Sequence, residues 1–452
     1  LLLIVQAAGD LTLPDYTSKI VNIGIQNGGI ENVAPEVIRK SEMENLLIFT
    51  EEDDKILSSY EEISKENLDN KEYEKLVKKY PELENEALYK IEKIDSKKQD
   101  KLDNIMAKPL MVLSMLENEE TSEQIKQQML ESIKANQQEQ QMQAMQNMSL
   151  IDIIKQMPKE QLDKMLETVN EKINDMQESI LEQAAIQEVK KEYKAIGIDT
   201  DKLQNQYIII AGLKMLGISF LIMASAISIM CLSARVAARL AKTLREKVFK
   251  KVLSFSNKEF AEYSTASLIT RSTNDIQQIQ GLIAILFRVL VYAPIIGIGG
   301  FLRVLRQSDN SMAWIIGVAI LAILFVVGTL FIMAMPRFKK LQQLIDKLNL
   351  VAREILTGLP VIRAFNTEKK EEKRFDKANI ELTKTNLFVN RAMSFMMPTL
   401  MLIMNGISLL IVWVGAHGID NGTMQVGNMM AFIQYTMQIV MSFLMISMVS
   451  IM

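Results

Sequence analysis

The chain has 452 residues, 49% of them hydrophobic and only 6% aromatic, with 30 Met and a formal net charge of −3. That balance excludes the basic footprint of a nucleic-acid-binding protein, and a single cysteine, Cys231, excludes an intrachain disulfide. Distribution decides the class: from residue 206 onward apolar residues gather into runs of about 20 or more, enough to cross a hydrocarbon layer about 30 Å thick as helices, whereas 31–205 holds no such run.

The opening "LLLIVQAAGDLTLPDY" has no basic leader before it and is read as the outer half of a truncated first transmembrane helix, residues 1–30. Residues 31–205 are acidic, with roughly 15 more Asp and Glu than Lys and Arg. Their periodicity is helical: Ile173, Met176, Ile180, Ala184 and Ile186 fall on one face, and Pro158 stands near a helix start. A helical hairpin or small bundle is therefore predicted. Its Met-rich stretch reads as adaptable core rather than a thioether metal site, so no metal is expected. With only nine Pro and 19 Gly in a Leu, Ile, Met, Lys, Glu and Gln-rich chain, the predicted class is all-α and polytopic.

Further spans are predicted at about 206–232, 281–302, 312–335, 393–417 and 427–452, six with the partial first. The connectors 233–280 and 336–392 hold most of the Lys and Arg that flank these spans and should be cytoplasmic. The turns 303–311 and 416–426, together with 31–205, are then expected to lie outside.

Neither connector breaks where its apolar span ends. Val236, Leu240, Leu244, Val248 and Val252 keep an i, i+4 spacing, so the second span continues as helix into the cytoplasm. Ser254, Ser256 and Asn257 interrupt it and cap a short helix, "NKEFAEYS", before Ser264 or Thr265 starts another long one. The second connector continues past Pro336 and is expected to break near "DKLN" and again at Gly358 and Pro360. Two rigid levers result, useful only if something soluble pushes on them.

The stretch "LREKVFKKVLSFSNKEFAEYSTASLITRSTNDIQQIQ" resembles the first intracellular loop of ATP-binding cassette (ABC) exporters. "LTGLPVIRAFNTEKKEEKRFDKAN" resembles the segment after their second loop, and "LTLPDYTSKIVNIGI" the end of their first helix. The resemblance implies six spans per half, swapped helices four and five, and coupling helices seated in grooves of ATPase domains. It puts the first coupling helix at Ser254 to Ser264, with Lys258, Glu259, Phe260 and Tyr263 as contacts. Phe260 and Tyr263 also admit plain packing between neighbouring helices. The second falls at Gln343 to Arg353, with Asp346, Lys347 and Asn349 exposed.

A nucleotide engine needs G-x-x-x-x-G-K-[ST] to cradle phosphate, and this sequence has none. ATP and Mg are therefore implied only for a nucleotide-binding domain following the sixth span, inside which the sequence stops. Other implied partners are a second transporter half, identical or not, and membrane lipid. The long insertion is the departure from the family pattern.

Polar residues in spans are costly and are default pathway candidates: Arg288, Asn405 and Gln434, with Trp413 and Tyr435 beside them. Hydrogen bonding between helices is the competing role. Scarce intramembrane charge and abundant Met point to a small apolar or amphipathic substrate. No nucleophile with a base, paired carboxylates or metal cluster is legible, so this chain should not itself be catalytic. The alternative is a membrane-anchored sensor or partner-binding protein acting through the insertion; a channel should show charge rings or a carbonyl filter, and neither is legible.

Overall fold

The computed structural model describes residues 1–50, 52–117, 150–155, 162, 177–256, 258–259, 263–306 and 312–451. In chain order these form α1 (Leu2–Asp10), α2 (Leu13–Lys19) running into a π-helical stretch (Ile20–Gln26), β1 (Val37–Arg39), α3 (Lys40–Leu47), α4 (Asp53–Leu57), β2 (Tyr60–Ile63), α5 (Asn70–Lys79) and β3 (Leu88–Ile91). Next come α6 (Ser96–Glu117), α7 (Leu150–Lys155), α8 (Glu178–Ala195), α9 (Thr200–Leu253), α10 (Thr265–Thr270), α11 (Ile276–Phe287) and α12 (Ala293–Arg306). The last four are α13 (Ala313–Thr357), α14 (Leu359–Ala364), α15 (Glu368–Asp420) and α16 (Val426–Ile451).

The helical class holds. Among the described residues, five stretches are long and apolar enough to cross a membrane: Thr200–Leu253, Thr265–Arg306, Ala313–Thr357, Glu368–Asp420 and Val426–Ile446. Two compact units emerge: Leu1–Pro14 with Gly217–Gly415 and Ala431–Met452, and Asp15–Leu216 with Ala416–Met430.

The second unit is not a pure helical bundle. It contains a three-stranded antiparallel sheet in the order β1-β3-β2, with Ile38 opposite Tyr89 and Glu62 opposite the same residue on the other side. Successive side chains of a strand face opposite ways, and β1 divides its residues accordingly. Ile38 enters a core with Met43, Leu46, Met106, Leu110, Ala185 and Val189 from α3, α6 and α8. Val37 enters a smaller one with Ile63, Tyr80, Leu83, Leu88 and Ile196.

Polar anchors fix the segment leading into β1. Ala34 N–H donates to Asp103 Oδ1 at 2.8 Å, Glu36 N–H to Tyr193 Oη at 2.8 Å, and Tyr60 Oη to Pro35 O at 2.9 Å. Burial raises the Asp103 carboxyl despite the Ala34 bond, and raises the Tyr193 phenol. Helix α8 ends at a turn in which Gly197 holds φ +90°, a left-handed conformation suited to glycine. There Gly197 N–H reaches Lys194 O at 3.1 Å and Ile198 N–H reaches Tyr193 O at 2.8 Å, which satisfies carbonyls the helix leaves open.

The buried face of α8 is Leu181, Ala185, Val189 and Tyr193. This is one residue out of phase with the predicted stripe: Ile180 is exposed and Ala184 only half-buried, while Ile186 is buried as expected. Ile173, Met176 and Pro158 lie outside the described residues.

A knot of small polar residues closes the same unit. Gly427 N–H donates to Asn22 Oδ1 at 2.7 Å, while Asn22 Nδ2 reaches Asn428 Oδ1 at 3.1 Å and Ser18 Oγ at 3.3 Å. Ser18 Oγ also donates to Asn428 Oδ1 at 2.7 Å. The approach is close enough that a Cβ at Gly427 would overlap both Asn22 Oδ1 and Ser18 O.

Candidate functional site

The charged extensions of the long helices are the first candidate. At 1.5 Å per residue, α9 beyond residue 232, α13 beyond 335 and α15 before 393 each run on for about 30–40 Å past a membrane-length segment. Helix propensity alone does not hold such extensions; cross-ties do. Between α13 and α15, Arg337 stacks 4.4 Å from the Phe388 ring, Lys347 meets Glu381 at 3.0 Å, and Arg374 meets Glu354 at 2.5 Å. As residue numbers rise on α13, their partners' numbers fall on α15, so the two form an antiparallel pair. Lys347 holds the Glu381 carboxyl below its ordinary value, and Glu354 holds the Arg374 guanidinium above its own.

The first elbow follows α9. Ser254 Oγ donates to Lys251 O at 2.7 Å, drawing the helix to a close. A capping box opens the next turn: Glu259 accepts from Ser256 N–H at 2.8 Å and from its hydroxyl at 2.9 Å, and Glu259 N–H returns to Ser256 Oγ at 3.4 Å. Ser264 then caps α10 by accepting from Ser267 N–H at 3.2 Å. Tyr263 shuts the bend from inside, stacked on Phe255 with centroids 6.0 Å apart and covered by Arg271 at 5.3 Å.

Of the residues predicted for this elbow, Glu259 is thus a cap, and Tyr263 contacts Phe255 and Arg271 while remaining 37% exposed. Lys258 is exposed and Phe260 lies outside the described residues. The Ser256 N–H, then its hydroxyl, hold the Glu259 carboxyl below its ordinary value of 4.5. A carboxyl depressed by folding stabilises above the unfolded value and loses that contribution as pH falls through the folded one. Amide-exchange protection at residues 256–259 should therefore be flat above pH 4.5 and fall below it in wild type. In Glu259→Gln it should be low throughout.

Of the two breaks expected in the second connector, the structure shows the one at Gly358 and Pro360 and not the one near "DKLN". No interruption occurs at Asp346, Lys347 and Asn349; α13 passes through them to Thr357. Asp and Asn are only mildly unfavourable inside a helix, and here helix formers surround them. The bend comes at Gly358, whose N–H still closes on Glu354 O at 2.9 Å, followed by α14 with Pro360 in its first turn. Asn366, at φ 52°, turns the chain into α15, and Thr367 N–H bonds Ile362 O at 3.0 Å. Asp346 and Asn349 are exposed on the lever shaft, and Lys347 ties the shaft together. At the elbow Val361 is 60% and Phe365 74% exposed.

The second candidate lies in the spans. Pro14 has no N–H for the Asp10 carbonyl, which α1 therefore leaves open. Gln438 Nε2 fills it at 3.0 Å, Tyr435 Oη donates to Leu11 O at 3.1 Å, and Tyr292 Oη donates to Asp10 Oδ2 at 2.6 Å. Tyr435, predicted to line a pathway, is 1% exposed and fastens α16 to the end of α1. Asp10, Tyr292 and Gln438 escaped the sequence reading, although the Asp10–Pro14 spacing was a usable signal. Gln434 is half-buried, and Asn405 and Trp413 are exposed on α15. Arg288 begins the π-helical stretch Arg288–Tyr292. Cys231 is exposed on α9. Gln438→Leu should cost about 0.5–1.5 kcal/mol by removing this hydrogen bond, read as a lower detergent melting temperature.

Residues 161–443 match the ABC transporter transmembrane region. The chain belongs to this family. It is a multi-pass membrane protein of the all-α ABC membrane fold. An uncharacterised ABC transporter ATP-binding protein of Mycobacterium tuberculosis is 37% identical over 238 residues, 52% of this chain and 40% of that protein. A Bacillus subtilis protein of the same description is 32% identical over 234 residues, 52% of this chain and 41% of that protein. The ATP-dependent lipid A-core flippase of Pseudomonas aeruginosa is 28% identical over 208 residues, 44% of this chain and 33% of the flippase. The chain thus corresponds to about two fifths of the length of the first two relatives.

Proposed function

We propose that the chain is the transmembrane half of an ATP-driven exporter, joined to a nucleotide-binding domain and paired with a second half, which moves an apolar or amphipathic substrate outward by alternating access. The observation carrying this reading is the cross-tied α13–α15 lever, together with the capped bends that follow α9 and α13. A stiff helix transmits a push from one end to the other, and a capped bend with exposed side chains presents a fixed surface to whatever pushes. Lys258, the open side of Tyr263, Phe260, Val361 and Phe365 form that surface in this reading. The relatives' names, ATP-binding proteins and a lipid A-core flippase, favour ATP as the driver and a lipid-like cargo.

Arg288, Asn405, Trp413 and Gln434 are proposed to face the cavity that two halves enclose, whereas Tyr435 holds the wall together. Asp346 and Asn349 contribute to coupling only through the shaft they stand on. On this account residues 31–205 project outside the cell membrane.

The test is ATP hydrolysis and transport by the full-length gene product in lipid vesicles. Tyr263→Ala should leave basal hydrolysis in place but separate it from transport, because the elbow loses its clasp while the nucleotide site is untouched. Unchanged coupling in Tyr263→Ala and in Val361→Asp would remove the elbows from the mechanism.

A further inference from the structure

Three carboxylates from three separate helices of the second unit converge. Glu42 of α3, Glu117 of α6 and Glu188 of α8 each bring an oxygen into a group whose members all lie within 4.8 Å of one another. Two oxygens bound to one calcium ion at about 2.4 Å can be at most about 4.8 Å apart, a limit that each pair of the three meets.

The charges around the group leave a deficit. Lys191 Nζ sits 2.9 Å from Glu188 and 3.6 Å from Glu117, and Arg39 is taken by Glu192 at 2.7 Å. Three carboxylates against one lysine leave a surplus of two negative charges, the charge of one divalent cation. Two of the three residues are buried: Glu42 is 6% and Glu188 3% exposed.

Glu42 supplies an independent sign that a ligand belongs here. Its Oε2 accepts the Asn45 amide at 3.1 Å. Its Oε1 is buried with no hydrogen-bond partner among the described residues, and Oδ1 of the same Asn45 amide is in the same condition. A buried acceptor without a donor costs about 1–3 kcal/mol. Two neighbouring ones, at the edge of a carboxylate cluster, call for a cation rather than for another hydrogen bond.

We propose that Glu42, Glu117 and Glu188 bind a divalent cation, calcium by the hardness and flexible spacing of an all-oxygen donor set, with the Asn45 carbonyl within reach as a further donor. Such an ion clamps α3, α6 and α8 to one another and so locks the ends of the second unit's main core. Magnesium demands a tighter octahedron at 2.0–2.1 Å, and carboxylate and carbonyl donors without Cys or His disfavour zinc and copper. The site does not depend on the exporter reading and is tested without transport.

The experiment uses the full-length protein in detergent, stripped with a chelator and then titrated with Ca²⁺, with Mg²⁺ in a parallel arm. Binding is read by calorimetry and by amide exchange at residues 40–47, 110–117 and 185–192. Wild type should bind one Ca²⁺ and gain protection at all three segments. Glu42→Gln and Glu188→Gln, which keep shape and remove charge, should bind roughly 10–100-fold more weakly. If either variant fails to fold, Asn45→Ala leaves the carboxylates in place and should show a smaller loss. Three results would overturn the site: no stoichiometric Ca²⁺ binding to wild type, equal binding by the charge-neutralised variants, or protection gained elsewhere but not at these segments. Tighter binding of Mg²⁺ than of Ca²⁺ would overturn the assignment of the ion.

Discussion

Arg39→Ala is expected to destabilise the second unit by about 3–5 kcal/mol, the range for removing one partner of a buried ion pair. Glu192 is 4% exposed and receives Arg39 Nε at 3.1 Å, Nη2 at 2.7 Å and the Arg39 backbone N–H at 2.7 Å. After the substitution only the backbone N–H remains, and the carboxylate is left buried and uncompensated. The pair also joins β1 to α8, so the loss reaches the sheet. Amide exchange in β1 and β3 should quicken together, and thermal unfolding of the unit should begin earlier. The double substitution Arg39→Met, Glu192→Met should recover much of the loss, since an apolar pair of similar volume often replaces a buried ion pair without penalty. If Arg39→Ala costs less than 1 kcal/mol, the pair is solvated and the anchoring role assigned to it is wrong.

The second large effect is expected at Gly427. Gly427→Val places side-chain atoms where Asn22 Oδ1 and Ser18 O already stand. Overpacking of this kind costs about 1–3 kcal/mol, and displacing Asn22 orphans the Gly427 N–H for about 1–3 kcal/mol more. Because these residues join α2 and its π-helical extension to the start of α16, proteolytic cleavage within residues 416–430 should become faster. Ser18→Ala removes one hydroxyl from the same knot and should cost far less. Equal sensitivity of the two variants to protease would contradict this ranking.

The parts of the structure read well in advance are those governed by long periodic patterns. Apolar runs of membrane length and the absence of breakers after residue 232 foretold continuous helices, and Ser256, Ser264, Gly358 and Pro360 marked bends because each has a local chemical reason to end or begin a helix. Asp346 and Asn349 misled the reading: poor helix formers do not stop a helix whose neighbours on both sides favour it and whose partner helix ties it down. The strands were invisible for the opposite reason. "VIR", "YEEI" and "LYKI" are too short for alternation to stand out, and what makes them strands is pairing across the sheet and burial against two different cores.

The polar contacts at Asp10, Asn22 and Glu42 share a further limit. Each depends on residues distant in sequence, such as Gln438 for Asp10 and Gly427 for Asn22, and no local spacing encodes such a meeting. What the sequence does show is one lost donor: a proline four residues after Asp10 removes the N–H that would continue the helix there, though not which group takes its place.

The central claim is that the elbows face an ATPase domain and move with its nucleotide cycle. It is tested most directly by the rate of maleimide modification of a cysteine placed at Val361, in full-length protein in which Cys231 and every other native cysteine have been replaced by serine. Val361 is 60% exposed in this chain, so nothing within the chain itself should slow the reaction. The account predicts slow modification in the full-length protein, a rate that changes between the nucleotide-free and the ATP-vanadate-trapped states, and fast modification once the ATPase domain is deleted. Fast modification that is the same in every nucleotide state would contradict it.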